Sequence, residues 1–270
     1  MKPSTKPNPK TGSLACVGIG ITLGSHLSPL ARSYIEQADV VFMAVSDGIV
    51  EKWIESMNAD VRSLQPLYAE GKSRIKTYRE MVNAILTQVR AGKKVCAAFY
   101  GHPGVFAWAP HKSIAIARNE GFVARMEPGI SAEDCLYADL GIDPGAVGCQ
   151  HYEASQLLYY KRRIDPSAYL VLWQVGVVGD RSLAQTATAS AFRQLLVERL
   201  AQNYPLSHKV VIYRAATLPI HAPHIKRIAL GKLASAHIEA PDTLVIAPAQ
   251  KLVPDTTMLR KLEKLYRAQA

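Results

Sequence analysis

Several short stretches hold residue types that could do chemistry. Tyr100-Gly101-His102-Pro103-Gly104-Val105-Phe106 sets two glycines, a proline and an imidazole between an apolar run and a helical pattern. Gly101 and Gly104 reach backbone conformations closed to other residues, and Pro103 fixes its own φ, so such a loop can bring bare backbone against a ligand. Arg74 and Tyr78 lie four apart, which on a helix puts guanidinium and phenol on one face. By composition alone they form a surface cation–aromatic pair. Gly18 and Gly20 make a GxG, but a dinucleotide fingerprint fails because Leu23 stands at its third glycine and Gly24 comes one residue late. The reading there is a tight turn. His221 and His224 form an HxxH that Pro219 and Pro223 interrupt, which argues against a helical metal site. The cysteines Cys16, Cys96, Cys135 and Cys149 show no CxxC spacing. Cys16 and Cys96 fall in buried runs where a reduced thiol acts as a small hydrophobe, so the expected compartment is a reducing cytoplasm.

The elements that must position these residues follow from periodicity. Leu14–Gly20 reads as a first strand, Ser28-Pro29 as a helix start with serine at N-cap and proline at N1, and Asp39–Val45 as a second strand. This β-α-β opening predicts a parallel sheet with a right-handed crossover. Trp53–Met57 reads as helix and Val61–Leu64 as a short strand. A polar segment, Leu67–Arg79, then runs into a helix with Met81, Val82, Ile85, Leu86 and Val89 on one face, ending at Gly92. Val95–Phe99 is a buried strand whose carboxyl end opens the 100–106 loop, where open α/β sheets bind ligands. Helix 113–118, strand Phe122–Met126, the turn Glu127–Ala132 and a helix Ala132–Leu140 capped by Ser131 follow. Residues 142–156 read as a Gly-rich loop with one short strand and as a domain junction. Beyond it, strands Tyr169–Val175, Lys209–Ala216 and Asp242–Ala247 outnumber the helix Phe192–Gln202, so a mixed sheet is expected before a basic terminal helix, Met258–Gln269.

At 270 residues, with 49% hydrophobic and 20% charged, the composition is that of a globular α/β protein. No apolar run approaches the ~20 residues of a membrane span. The expected organisation is a disordered tail over 1–12, an N-terminal α/β domain over 13–150, a mixed α/β domain over 151–250 and a C-terminal helix over 251–270. The net charge of +10 is spread over 72–79, 90–94, 161–163, 224–232 and the last helix. A dispersed excess reads as solvated surface and argues against nucleic acid.

The order of landmarks resembles the tetrapyrrole-methylase superfamily, S-adenosylmethionine enzymes of two α/β domains with the cofactor in the cleft between them. The matching landmarks are the strand ending in GxG, Gly101-His102-Pro103-Gly104, the Pro128–Ala132 turn, and the later strands ending at Gln174, Ala215 and Thr243-Leu244. Within it the chain looks more like the borosin α-N-methyltransferases, which methylate backbone amides of a peptide; Tyr68, Arg74, Tyr78 and Tyr100 carry that likeness. The resemblance implies S-adenosylmethionine contacts along Tyr100, His102, Val105 and Phe106. It puts Ser131 and Ala132 near the methionine end and Gln174, Ala215, Thr243 and Leu244 around the adenosine. No metal is implied. Borosin enzymes are often fused to their core peptide, whereas this chain stops at Ala270 in a basic helix. That suggests the split type, with a separate precursor peptide as substrate. A homodimer, extending to a heterotetramer with two precursors, comes by the same analogy.

The chemistry suits those residue types. Resonance delocalises the amide nitrogen lone pair, so the nitrogen is a poor nucleophile until its proton is removed or weakened. Tyr78 is the candidate base, Arg74 favours its phenolate and stabilises imidate-like charge, Tyr68 donates to the amide oxygen, and Tyr100 orients the substrate. Two alternatives stand beside this. One is a small-molecule methyltransferase acting on a tetrapyrrole. The other is a basic RNA-binding or RNA-methylating member of the superfamily, although aromatic residues do not interleave the basic clusters.

Overall fold

The computed structural model describes residues 11–45, 48–69, 72–180 and 187–269. Most of the expected tail, and Glu70 and Gly71 of the polar segment, lie outside the described residues. The chain divides into two compact units, one of residues 1–142, 180–187 and 213–225, the other of 143–179, 188–212 and 226–270.

In the first unit, strands β1 (Ser13–Gly18), β2 (Val40–Ala44), β3 (Val61–Ser63), β4 (Lys94–Phe99) and β5 (Val123–Glu127) form a sheet in the order β3-β2-β4-β1-β5. Its pairings are parallel. Alternate residues feed opposite faces. Leu14 and Cys16 of β1 join the core beneath helices α3 (Arg74–Arg90) and α4 (Trp108–Asn119), while Ala15 and Val17 join the core of α1 (Pro29–Glu36) and α2 (Gly48–Glu55). Apolar side chains on both faces explain why these strands are continuous hydrophobic runs. Burial pushes the thiols of Cys16 and Cys96 up, which suits inert core residues. Helix α5 (Ala132–Leu140) closes the unit's main run.

Connections leave β1 and β4 in opposite directions. β1 passes β4 to reach β2, and β4 passes β1 to reach β5. The carboxyl ends of β4, β1 and β5 therefore lie side by side at a switch in strand order, the place where an open α/β sheet binds ligands.

The second unit carries the two short helices α6 (Pro144–Val147) and α7 (Gln156–Tyr159), then α8 (Ser190–Leu200), and α9 (Thr256–Gln269) after its last strand. Its strands β6 (Cys149–Glu153), β7 (Tyr169–Trp173), β8 (Lys209–Arg214), β9 (His224–Ala229) and β10 (Thr243–Ile246) take the order β6-β7-β10-β8-β9. β6 runs parallel and β10 antiparallel to β7, so the sheet is mixed. The tetrapyrrole-methylase-like α/β architecture expected from the landmarks is present, with corrections of detail. α4 starts at Trp108 rather than 113, because Pro110 sits in the first turn, where a missing N–H costs nothing. Helix α2 occupies Gly48–Glu55, not 53–57. The basic run from His224, read as surface, is β9, a strand at the end of the sheet order.

Candidate active site

Three loops meet where β1, β4 and β5 end. Ile19 N–H donates to Phe99 O at 3.0 Å, Gly20 N–H to Gly101 O at 3.2 Å and Gly101 N–H to Gly20 O at 2.8 Å. A Cβ built on Gly18 would stand 2.5 Å from Gly101 O and 2.6 Å from Gly129 Cα, so the three backbones touch and only glycine fits at Gly18. The GxG is thus a close-packing device joining the strand ends, as well as a turn. Tyr100 N–H is tied to Ala44 O at 3.2 Å.

Within the 100–106 loop, Gly104 N–H donates to His102 Nδ1 at 2.9 Å, and His111 Nε2 lies 3.0 Å from Gly104 O. His102 therefore shapes the loop through Nδ1, with its neutral Nδ1 as acceptor. Phe106 has φ 50°, a left-handed conformation that bulky residues seldom take. Tyr100 is 57% exposed and Phe106 56%, and Val105 and Ile130 are also open. Apolar side chains beside packed glycine backbone are what a ligand surface needs. Ser131 is committed elsewhere. Its Oγ accepts from Asp134 N–H at 3.3 Å and donates to Asp134 Oδ2 at 2.7 Å, while its own N–H donates to the same Oδ2 at 2.7 Å. This reciprocal box caps α5, whose first residue is Ala132. Ala215, just past β8, belongs to the first unit, and its neighbour Ala216 O accepts from Thr22 Oγ1 at 2.8 Å.

Tyr68 lies within electrostatic reach of Arg74, Tyr78 and Tyr100, and Tyr100 within reach of Tyr78. Tyr68 follows a 3-10 turn at Gln65–Leu67, and Lys72 Nζ holds that turn by donating to Leu67 O at 2.7 Å. Tyr68 and Tyr78 both pack half-buried against the core beneath α3 and α4. Burial first, then Tyr78 and Tyr100, push the Tyr68 phenol up to about 12, against the opposing pull of the Arg74 guanidinium. Surrounding protein and Tyr78 also push Tyr100 up, an effect that its open exposure to solvent screens. Arg74 opens α3, and Tyr78 one turn later stacks on Trp108, with ring centroids 6.3 Å apart and planes at 22°. Arg74 Nη2 meets Asp180 Oδ2 at 3.3 Å.

The remaining expected residues belong to the second unit. Gln174 follows β7 directly, with φ 57° and ψ 40°, a second non-glycine residue in the left-handed region. Thr243 and Leu244 are buried on β10, where Leu244 pairs with Leu172 of β7. Trp108 and Asp180 went unmarked in the sequence. Asp180 is 106 residues from its partner, a separation that no local pattern reports.

The model for tetrapyrrole (corrin/porphyrin) methylases matches residues 13–234. A Coprinopsis marcescibilis relative, a methyltransferase/ribosomally synthesized type I borosin cyclic peptide precursor, is 47% identical over 228 residues, covering 84% of this chain and 58% of its own length. A Dendrothele bispora relative, a methyltransferase/ribosomally synthesized cyclic peptide dendrothelin A precursor, is 41% identical over 269 residues, covering 98% of this chain and 64% of its own. The chain thus spans about six-tenths of the length of these relatives. Uroporphyrin-III-C-methyltransferase from Thermus thermophilus shares the fold, with a TM-score of 0.61 at 18% identity over 88% of this chain and 93% of that one. Its sheet order, its glycine-packed loops and a family match over most of its length agree, and the chain belongs to the tetrapyrrole (corrin/porphyrin) methylases.

Proposed function

We propose that this protein is an S-adenosylmethionine-dependent methyltransferase that methylates backbone amides of a peptide supplied as a separate precursor chain. The observation that carries the reading is the cluster of Tyr68, Tyr78, Tyr100 and Arg74 beside the glycine-packed loops. Relatives named as methyltransferase and borosin peptide precursor support it. When bound, S-adenosylmethionine supplies an electrophilic methyl group. The residues present suit it, because Tyr100, Val105, Phe106 and Ile130 leave apolar surface open beside the backbone of Gly101, Gly104 and Gly129. His102 and Ala132 would hold it by backbone, with Ser131 contributing shape while its hydroxyl caps α5. Gln174, Ala215, Thr243 and Leu244 complete the assignment for the adenosine end.

Environment divides the tyrosines between roles. A phenol pushed up to about 12 stays protonated near neutrality, so Tyr68 is a donor to the amide oxygen and a poor base. Tyr78, one helical turn from Arg74 on α3, is assigned the role of base for the amide proton. Arg74 stabilises the negative charge that then spreads onto the carbonyl oxygen, and Tyr100 orients the peptide plane.

The test is intact mass and fragmentation after incubation with S-adenosylmethionine. The peptides are small proteins encoded beside this chain and, in trans, the part of the Coprinopsis marcescibilis relative outside the match. Increments of one methyl group on backbone nitrogens are expected from wild type, and none from Tyr78→Phe with S-adenosylhomocysteine binding retained. Methyl transfer to a porphyrinoid precursor and to no peptide would establish the tetrapyrrole reading that the family match also allows.

A further inference from the structure

We propose that the notch between the turn after β1, helix α2 and Tyr100 is a side-chain subsite, which takes one apolar residue of the peptide beside the amide that is methylated. This rests on the functional reading above and adds a specificity to it. The notch encloses about 210 Å³, part of it open to solvent. Among the described residues, Ile21, Thr22 and Leu23 line it from the turn, Val50 and Trp53 from α2, and Tyr100 from the end of β4. Val50 and Trp53 stand three apart on their helix and so share one face. Val50 is buried, Trp53 half-buried and Tyr100 exposed, which gives the notch a floor, a wall and an open rim.

What the turn offers a ligand depends on where its polar groups already go. Ile19 and Gly20 N–H donate to Phe99 O and Gly101 O, and Leu23 N–H donates to Thr217 O at 2.9 Å. Ile21 and Thr22 N–H both donate to Nδ1 of His26, at 3.3 and 3.2 Å, and the Thr22 hydroxyl donates to Ala216 O. Each backbone N–H from Ile19 to Leu23 thus has a partner within the protein. Glycine turns that hold phosphate or carboxylate do so through N–H groups left for the anion. This GxG turn spends its donors on its own scaffold and lines the notch with Ile21 and Leu23.

Size and place identify the occupant. Pockets that enclose a whole small molecule run to about 300–1,000 Å³, so this smaller one fits a side chain and not a cofactor or macrocycle. Aliphatic and aromatic walls favour a side chain that gains by leaving water. Tyr100 belongs both to the notch and to the phenol cluster. A side chain seated against it sets the peptide plane at that cluster, so binding away from the reacting atoms is turned into alignment.

The experiment uses the full chain, S-adenosylmethionine and synthetic peptides copied from the part of the Coprinopsis marcescibilis relative outside the match. Valine, alanine, tryptophan and aspartate are placed in turn at each residue flanking a methylated amide. At one flanking position valine should exceed alanine by about tenfold to two-hundredfold in kcat/KM, and aspartate should be rejected. Leu23→Trp fills the notch and should abolish that preference. Trp53→Ala opens it and should admit tryptophan at the same peptide position, an exchange of preference that a merely structural role would not produce. S-adenosylhomocysteine affinity is expected to be unchanged in both. Indifference of the wild type at every flanking position, or the wild-type order of side chains in both variants, would overturn the subsite. Loss of S-adenosylhomocysteine affinity in the variants would assign the notch to the cofactor and overturn it as well. The wild-type scan decides whether or not the variants fold. No methylation of any peptide would instead remove the functional reading, so the two failures are distinct.

Discussion

Gly18→Ala should be among the most damaging single-methyl changes in this fold. Gly18 has no left-handed φ, so alanine meets no backbone penalty and the effect is steric. Its new Cβ would sit 2.5 Å from Gly101 O, 2.6 Å from Gly129 Cα and 2.7 Å from Gly129 N, where ordinary contact begins at 3.4 Å. Every one of these atoms is backbone, and Gly101 is bonded to Gly20 in both directions, so no side chain can swing away. Overpacking of this kind costs about 3 kcal/mol. For a unit of this size that lowers the melting temperature by about 6–12 °C. Gly24→Ala is the matched control. Gly24 has φ +75° but nothing within 4 Å of an added Cβ, so it incurs only backbone strain of about 1–2 kcal/mol. Thermal melts followed by circular dichroism compare the two. If Gly18→Ala melts at or above Gly24→Ala, the three strand ends are not packed backbone to backbone and the account of the site fails at its base.

Ser131→Ala removes one side of the capping box on α5 and should cost about 1 kcal/mol; urea titration reads it, and an unchanged midpoint would mean that the serine hydroxyl is not committed to the helix. Tyr68 has its folded-state value raised to about 12, so the stability it contributes is complete below its unfolded value of about 10 and is lost as pH climbs through about 12. Tyr68→Phe should therefore flatten the stability loss across that alkaline window, and an unchanged slope in urea titrations would count against the burial of this phenol. Phe106 at φ 50° predicts that Phe106→Gly is more stable than Phe106→Ala by about 1 kcal/mol, and a reversed order in thermal melts would show that the loop does not hold this conformation.

Legibility from sequence followed the range of the interactions involved. β1, β2, β4 and α3 were readable because their patterns are local and each strand is apolar on both faces. Ser131 announced its cap because the partner, Asp134, stands three residues away. β9 hid because a strand at the end of the sheet order can carry His224, Lys226 and Arg227 facing water, so its composition matched a solvated loop. The first turn of α4 hid behind Pro110 for the reason that makes proline tolerable there. The Arg74–Asp180 pair could not be seen at all, since two charges so distant in sequence meet only through the packing of everything between them. Resemblance to a family marked Arg74; no periodicity could say what holds it.

Chemically equal side chains become unequal here through burial and neighbours. Tyr68 is half-buried on a core wall and held protonated, while Tyr100 is mostly open to solvent on a strained loop. Tyr78 is half-buried and stacked on Trp108, one helical turn from a guanidinium that a withdrawn carboxylate faces. The peptide methylation proposed above, which must take a proton from a reluctant amide nitrogen while stabilising its oxygen, needs a donor and an acceptor held in different places around the amide. The division is set by where the chain places each ring: one after a 3-10 turn against the core, one on a helix, one at the end of a strand. Replacing any of the three by phenylalanine should therefore produce a different kinetic defect, and identical defects from all three would mean that the cluster works by shape alone.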